Sequence, residues 1–190
     1  DWFACKAAMI NMINRDFTTA QLWLEIARKE DVPNGQSPIT WPKLWPVFWL
    51  LDEDRSIELD EQQLEGWAQN LLAENPLRGK NYINLTYHIL KIFGAKIPHA
   101  RWTELAGKEA RIEHGYSLFA NKQAIEQALE AKRTAEAAAT LLLSAGSLKA
   151  SEFLDESLLF IISTLNDLGL EQQAKGLAFE VLIKKNHQIW

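Results

Sequence analysis

The stretch Asn121-Lys-Gln-Ala-Ile-Glu-Gln-Ala-Leu-Glu-Ala-Lys-Arg-Thr-Ala-Glu-Ala-Ala-Ala-Thr-Leu-Leu-Leu-Ser-Ala145 decides the reading of the fold. Within it Ala124, Ala128, Ala131, Ala135, Ala138 and Leu142 recur at spacings of 4-3-4-3-4, which line one face of a helix. With Asn121 as its cap and Gly146 as its stop, the pattern predicts a helix of about 25 residues, roughly 37 Å long. Small residues on that face admit a close neighbour. A second helix follows through Leu154, Leu158, Ile161, Ile162 and Leu165, and Phe160 adds apolar surface off that stripe. Being apolar on more than one side, it is expected to lie centrally. Gly169 ends it, and a third helix presents Leu170, Ala174, Leu177, Ala178, Val181 and Leu182 on one face.

Helix signals also dominate toward the N-terminus. A first helix is expected from about Trp2 to Ile13. Thr18-x-x-Gln21 has the form of a capping box and opens a helix through Leu22, Trp23, Ile26 and Ala27. The connection Arg15-Asp16-Phe17 is short, so the two helices should pack antiparallel. Turn formers crowd residues 31–38, after which Thr40 caps a short helix with Trp41, Pro42, Trp45, Pro46, Phe48 and Trp49. Asp60-x-x-Gln63 starts a helix through Leu64, Trp67, Leu71 and Leu72. Pro76 and Gly79 break the chain, and the next helix is expected from about Tyr82 to Phe93, stopped by Gly94. Pro98 starts a short helix with Trp102 and Leu105, and 107–120 reads as an irregular crossover. No segment alternates apolar and polar residues between turn dipeptides as a β-hairpin would. The expected fold is therefore all-α, with antiparallel helical hairpins in a TPR-like (tetratricopeptide-like) right-handed superhelix. A compact non-repeating helical bundle is the alternative.

The 190 residues carry 20 Lys and Arg against 25 Asp and Glu, a net charge of −5, and 47% are hydrophobic. That balance excludes a disordered chain. The basic residues are outnumbered and scattered, which speaks against nucleic acid as a partner. No apolar run approaches the roughly 18 residues that a membrane span needs. The length fits one all-helical domain, 1–190, burying about 70% of its unfolded surface. A sub-division would fall between 1–106 and 121–190, joined by the irregular stretch 107–120. Because the chain starts at Asp1, it is expected to be a fragment of a longer one. Cys5 is the only cysteine, so no internal disulfide forms and the compartment stays open. It reads as a small core residue.

Four histidines, His88, His99, His114 and His187, offer no pair at i,i+4 and no His-Glu-x-x-His. No metal or cofactor is expected. His88 reads as a partly buried helix residue. His99, Arg101, Glu104, Glu113, His114 and Tyr116 crowd one stretch, where Glu104 and His114 could form an acid/base pair across a cleft. An exposed polar connection is the preferred reading. Nucleophile elbows, Ser-x-x-Lys and phosphate-binding glycine loops are absent from the sequence. The unusual feature is tryptophan, eight in 190 residues. Trp41, Trp45 and Trp49 lie four apart on one helical face, with Trp67 and Trp102 as candidate neighbours. Such a row could grip a peptide or stack on a sugar, although core packing is the favoured alternative.

Ile13-Asn14-Arg15-Asp16 followed by Ala20, and Leu165-Asn166-Asp167 followed by Ala174, both read as helix, tight turn and alanine-packed helix. This resembles a helical-hairpin repeat of the tetratricopeptide kind. The segments Ala20-x-x-Trp23-Leu24-x-x-Ala27 with Leu44-Trp45-Pro46, and Leu165-x-x-x-Gly169-Leu170-x-x-x-Ala174-x-x-x-Ala178-x-Glu180, resemble uncharacterised alphaproteobacterial helical proteins over about a third of the chain. The resemblance implies a superhelical fold and a bacterial protein of the periplasm or cytoplasm, the periplasm favoured. It supplies no catalytic residue. Glu156-Ser157 is similar to the catalytic Glu-Ser of lytic transglycosylases, but the Gly-Leu-Met-Gln that follows there is missing, so Glu156 is expected to be a surface residue.

The expected function is a non-catalytic helical scaffold that binds a protein or peptide. Its candidate binding residues are Trp41, Trp45, Trp49, Trp102, His99, Arg101, His114 and Tyr116. The alternatives are a small-molecule binder or enzyme with a pocket near the tryptophan stripe and the His99 to Tyr116 stretch, or the structural arm of a larger enzyme.

Overall fold

The computed structural model describes residues 2–14, 16, 18–20, 22–23, 26, 41–52, 59–105 and 119–187. Among them every regular element is a helix and there is no strand. We number the helices α1 (Trp2–Ile13), α2 (Trp41–Leu51), α3 (Glu61–Glu74), α4 (Pro76–Ile92), α5 (His99–Leu105), α6 (Phe119–Glu130), α7 (Thr134–Ala145), α8 (Asp155–Asp167) and α9 (Glu171–His187). A 3₁₀ turn, Ala150–Glu152, precedes α8. The chain divides into two compact units, Asp1–Asn70 and Leu71–Trp190. Gln21, Ala27, Thr40 and the turn-forming stretch 31–38 lie outside the described residues, as does most of the expected crossover 107–120.

In the first unit, α1 buries Ala4, Ala8 and Met12, one residue per turn. Phe3 meets Trp23 edge-on with ring centroids 5.5 Å apart, so α1 and the next helical segment touch as the short connection predicts. The cap of that segment is Asp16 rather than Thr18. Its carboxylate accepts from the Thr19 N–H at 3.1 Å and its carbonyl from Ala20 at 3.0 Å. A carboxylate one turn ahead reaches an unpaired amide that a residue already inside the helix cannot. The bonds to Thr19 hold the Asp16 carboxyl below its ordinary range. Helix α2 buries Trp45, Val47, Phe48 and Leu50, with Pro46 inside it. At the start of α3 the Asp60 carboxylate accepts from Gln62 at 3.2 Å, as its capping form predicts. Leu64, Trp67, Ala68 and Leu71 are buried along that helix.

The expected break at Pro76 and Gly79 is a corner instead. Asn75 caps α4 by accepting from the Arg78 N–H at 3.2 Å, and Pro76 takes the first helical position, where its missing N–H costs nothing. Gly79 lies inside the helix because the chain folds back tightly there. A Cβ on Gly79 would stand 2.7 Å from the Leu71 carbonyl oxygen.

Helix α4 is the most enclosed element of the second unit, burying Tyr82, Ile83, Leu85, Thr86, Tyr87, Ile89 and Leu90. It packs against α5, α8 and α9. Across 100 residues of sequence, the Tyr82 hydroxyl donates to the Leu182 carbonyl of α9 at 3.2 Å. Burial pushes the Tyr82 phenol far above its ordinary range, with the Thr86 hydroxyl opposing that shift. Helices α8 and α9 form an antiparallel hairpin, because Asp155 at the start of α8 pairs with Lys185 near the end of α9. Each charge also suits the helix dipole at its own end. Helix α8 packs on both α4 and α9 and buries Leu158, Ile161 and Ile162, in keeping with its apolar surface on more than one side. Glu156 is exposed and Ser157 is buried.

The single helix expected from Asn121 is corrected to two. It breaks at Ala131–Arg133, and α6 and α7 fold back on each other, with the Asn121 amide donating to the Ser144 hydroxyl at 2.8 Å. Lys132 takes a positive φ of 57°. The Lys132 amide bonds to Leu129 at 2.9 Å and the Arg133 amide to Ala128 at 2.8 Å, the paired bonds of a Schellman stop. Gly94 and Gly169 terminate α4 and α8 by the same pair of bonds, with φ of 90° and 76°. The alanine stripe is therefore not one buried face: of its members Ala128 is buried and Ala138 half-buried, while Ala124, Ala131, Ala135 and Leu142 are exposed.

Two substitutions test these positions by urea unfolding. Gly79→Ala forces a side chain against backbone that has no rotamer to give, and should destabilise by about 1–3 kcal/mol. Lys132→Gly relieves a left-handed backbone and should stabilise by about 0.5–1 kcal/mol. A neutral Gly79→Ala would refute the tight corner.

Candidate functional site

The candidate site is built where α4 ends and α5 returns along it. Gly94 turns the chain, Pro98 accepts from the Arg101 N–H at 3.0 Å, and α5 begins. This lays Trp102 on the last turns of α4. Its ring meets Tyr87 edge-on with centroids 5.7 Å apart and lies tilted over His88 at 4.7 Å. The Lys91 ammonium stands 6.0 Å from the Trp102 ring centre, within reach of a cation–π attraction. Next to Trp102, the Arg101 side chain is 11% exposed and its guanidinium bridges to Glu104 at 3.0 Å. Burial lowers the His88 pKa, and the nearby Lys91 charge lowers it further. The imidazole is therefore held neutral beside an aromatic face.

Of the candidate binding residues, His99, Arg101 and Trp102 share α5, with His99 exposed at its start. Trp45 belongs to the first unit and is 4% exposed, its indole N–H buried with no hydrogen-bond partner among the described residues. Trp49 is half-buried, and Trp41 opens α2. His114 and Tyr116 lie outside the described residues, so the Glu104–His114 pair does too, while the Glu104 carboxylate is bound by Arg101.

Sequence reasoning did not join Tyr87, His88 and Lys91 to this group. The signal was present: His88 and Lys91 lie three apart on one helical face, and the Gly94 stop with Pro98 folds the next helix back over it. Chemically, the cluster offers an aromatic face and two cations. Among the described residues no group of three or more His, Cys, Asp or Glu is placed to hold a metal ion. None of the described helices is long and apolar enough to cross a membrane.

A second surface lies on α7. Leu142 and Leu143 are 72% and 83% exposed. Ala135 and Ala139 are exposed on the same side of the helix, and the opposite side buries Ala137 and Leu141. No protein-family model, curated protein or solved structure matches the chain.

The His88 shift has a definite sign. Its folded pKa lies below the ordinary value of about 6.5, so the folded protein binds fewer protons than the unfolded chain. Its contribution to stability is complete above about pH 6.5 and is lost as pH falls toward the folded value. An NMR titration should place the His88 pKa below 6.5. Lys91→Met should raise it only part of the way, because burial is the larger cause. A His88 pKa at or above the ordinary value would exclude the enclosed neutral ring.

Proposed function

We propose that the chain is a non-catalytic helical scaffold that binds a protein or peptide through the outer face of α7. In this reading its hairpins stack in a TPR-like right-handed superhelix, each presenting one helix outward. The observation that carries it is the exposure of Leu142 and Leu143 on a helix whose other side is already packed on α6. An apolar face of this kind on an otherwise polar hairpin supports an interaction site rather than a solvated surface. Helix α6, by contrast, turns Asn121, Lys122, Gln123, Glu126, Gln127 and Glu130 to solvent. The α5 cluster fits the same reading as a positioned aromatic and cationic patch.

Crosslinked capture from the cells that make the protein, with the full chain as bait, tests this. Wild type should retain a stoichiometric protein partner, and a variant with Leu142→Glu and Leu143→Glu should lose it while keeping its helical circular dichroism. Recovery of the bait alone would sink the scaffold reading. Equal capture by both forms would move the binding face away from α7.

A further inference from the structure

We infer that the solvent face of α4 and the turn into α5 dock an acidic segment of a partner protein, its carboxylates on Lys80, Lys91 and Lys96 beside Trp102. This surface lies within the second unit and uses no side chain of α7, so it goes beyond the reading given above.

Its charge comes from the sequence and is gathered by the fold. Residues 75–103 carry five Lys and Arg and no Asp or Glu, in a chain whose net charge is −5. On α4, Lys80, Asn84, His88 and Lys91 are spaced 4-4-3, which puts them on one helical face. Asn84 and Lys91 are exposed and Lys80 and His88 half-buried, while Tyr82, Thr86 and Ile89 are buried on the opposite side. The two lysines lie about 16 Å apart along the axis. The turn after Gly94 adds Lys96 and His99, both exposed. Trp102, half-buried, covers the end of the stripe, with Lys91 6.0 Å from its ring centre.

Elsewhere in the second unit the chain answers cations with its own acids: Lys122 with Glu126, Arg133 with Glu136 and Lys175 with Glu171. Among the described residues no carboxylate stands within ion-pair distance of Lys80, Lys91 or Lys96. Glu104 of α5 is bound by Arg101. Three ammoniums left without a counter-charge fix the sign of the partner, by charge complementarity.

The spacing fixes its kind. Duplex nucleic acid carries one charge per about 1.7 Å of axis, far denser than two lysines about 16 Å apart on α4. It would also run on over a chain of net negative charge, whereas screening within about 8 Å confines the attraction to the patch. Acids one to three turns apart on a helix, about 5–16 Å, match the lysines. Trp102 offers an apolar side chain between those acids an aromatic contact.

Titration of the full chain by NMR with a twelve-residue Asp/Glu peptide carrying a central Phe tests this. The Trp102 indole N–H and the His99 ring should shift, and binding should weaken as salt rises. Lys91→Gln with Lys96→Gln should weaken it about tenfold, the sum of a few exposed ion pairs, while Lys122→Gln should leave it unchanged. The same peptide with Asn and Gln for its acids should not bind. Absence of these shifts overturns the inference, as does binding indifferent to the Lys91 and Lys96 changes. Tighter binding of a twenty-nucleotide single-stranded DNA or of phosphatidylglycerol vesicles through the same lysines would replace the acidic protein with a phosphate-bearing partner. The variant with Leu142→Glu and Leu143→Glu should bind the peptide as wild type does; loss of binding there would move the peptide to α7 and overturn the inference. If the peptide fails while that variant still loses its captured protein, this inference falls and the α7 reading stands. If the peptide binds through Lys91 and Lys96 while capture recovers the bait alone, the reverse holds.

Discussion

The arrangement of the second unit depends on enclosing α4. Seven of its side chains are buried, more than one stripe of a 17-residue helix supplies, so α4 needs neighbours on several sides. It obtains them from elements far apart in sequence: α5 just after it, and α8 and α9 at the other end of the chain. The Tyr82 to Leu182 hydrogen bond fixes the register of that long-range packing. A buried phenol without a partner would carry the full cost of desolvation, so the α9 backbone is constrained to come within reach. Hydrophobic burial is non-directional. The hydroxyl adds the direction that apolar packing lacks.

Enclosure of α4 also creates the α5 cluster. Trp102 can cover Tyr87 and His88 only because the Gly94 stop is tight and Pro98 restarts the helix a few residues later. The short helix buries no residue fully, and its aromatic contact with α4 holds it in place. The same contact removes water from one side of the imidazole, which is why the His88 shift has burial as its first cause.

Much of this was legible because the signals were chemical and local. Asp60 before its helix, Gly94 and Gly169 at helix ends, and Pro98 ahead of α5 each have one structural use, and the structure puts them to it. The failures share a cause. The alanine stripe from Ala124 to Leu142 keeps helical spacing straight through the break at Lys132, because alanine packs equally well on either face and carries no information about which is used. The break itself is a Schellman stop identical in its hydrogen bonds to those at Gly94 and Gly169, but a lysine occupies the left-handed position. Without glycine the sequence gives no warning. Pro76 and Gly79 misled in the opposite way. Both are helix breakers in isolation, yet one sits at the first helical position, where proline's missing N–H goes unused, and the other at a point of close backbone approach. The partners of Trp102 required knowing how the chain returns after Gly94, which spacing alone does not state.

The two C-terminal hairpins use alanine to different ends, and the contrast explains why one has surface to spare. In α9, Ala174 and Ala178 are completely buried, and their small size lets the helix approach its neighbours. Val181 and Leu182 are buried further along the same helix. In α7, Ala137 performs that service toward α6, while the leucines that should complete a core at the far end point the other way. Burying one leucine fully contributes about 1.5–3 kcal/mol, so leaving two exposed forgoes several kcal/mol in the isolated chain. A hairpin whose core needed only α6 and α7 would place polar residues at 142 and 143, as α6 does on its own outer face. Apolar side chains on both sides of α7 are the pattern of a helix that packs twice, once within its hairpin and once against another surface.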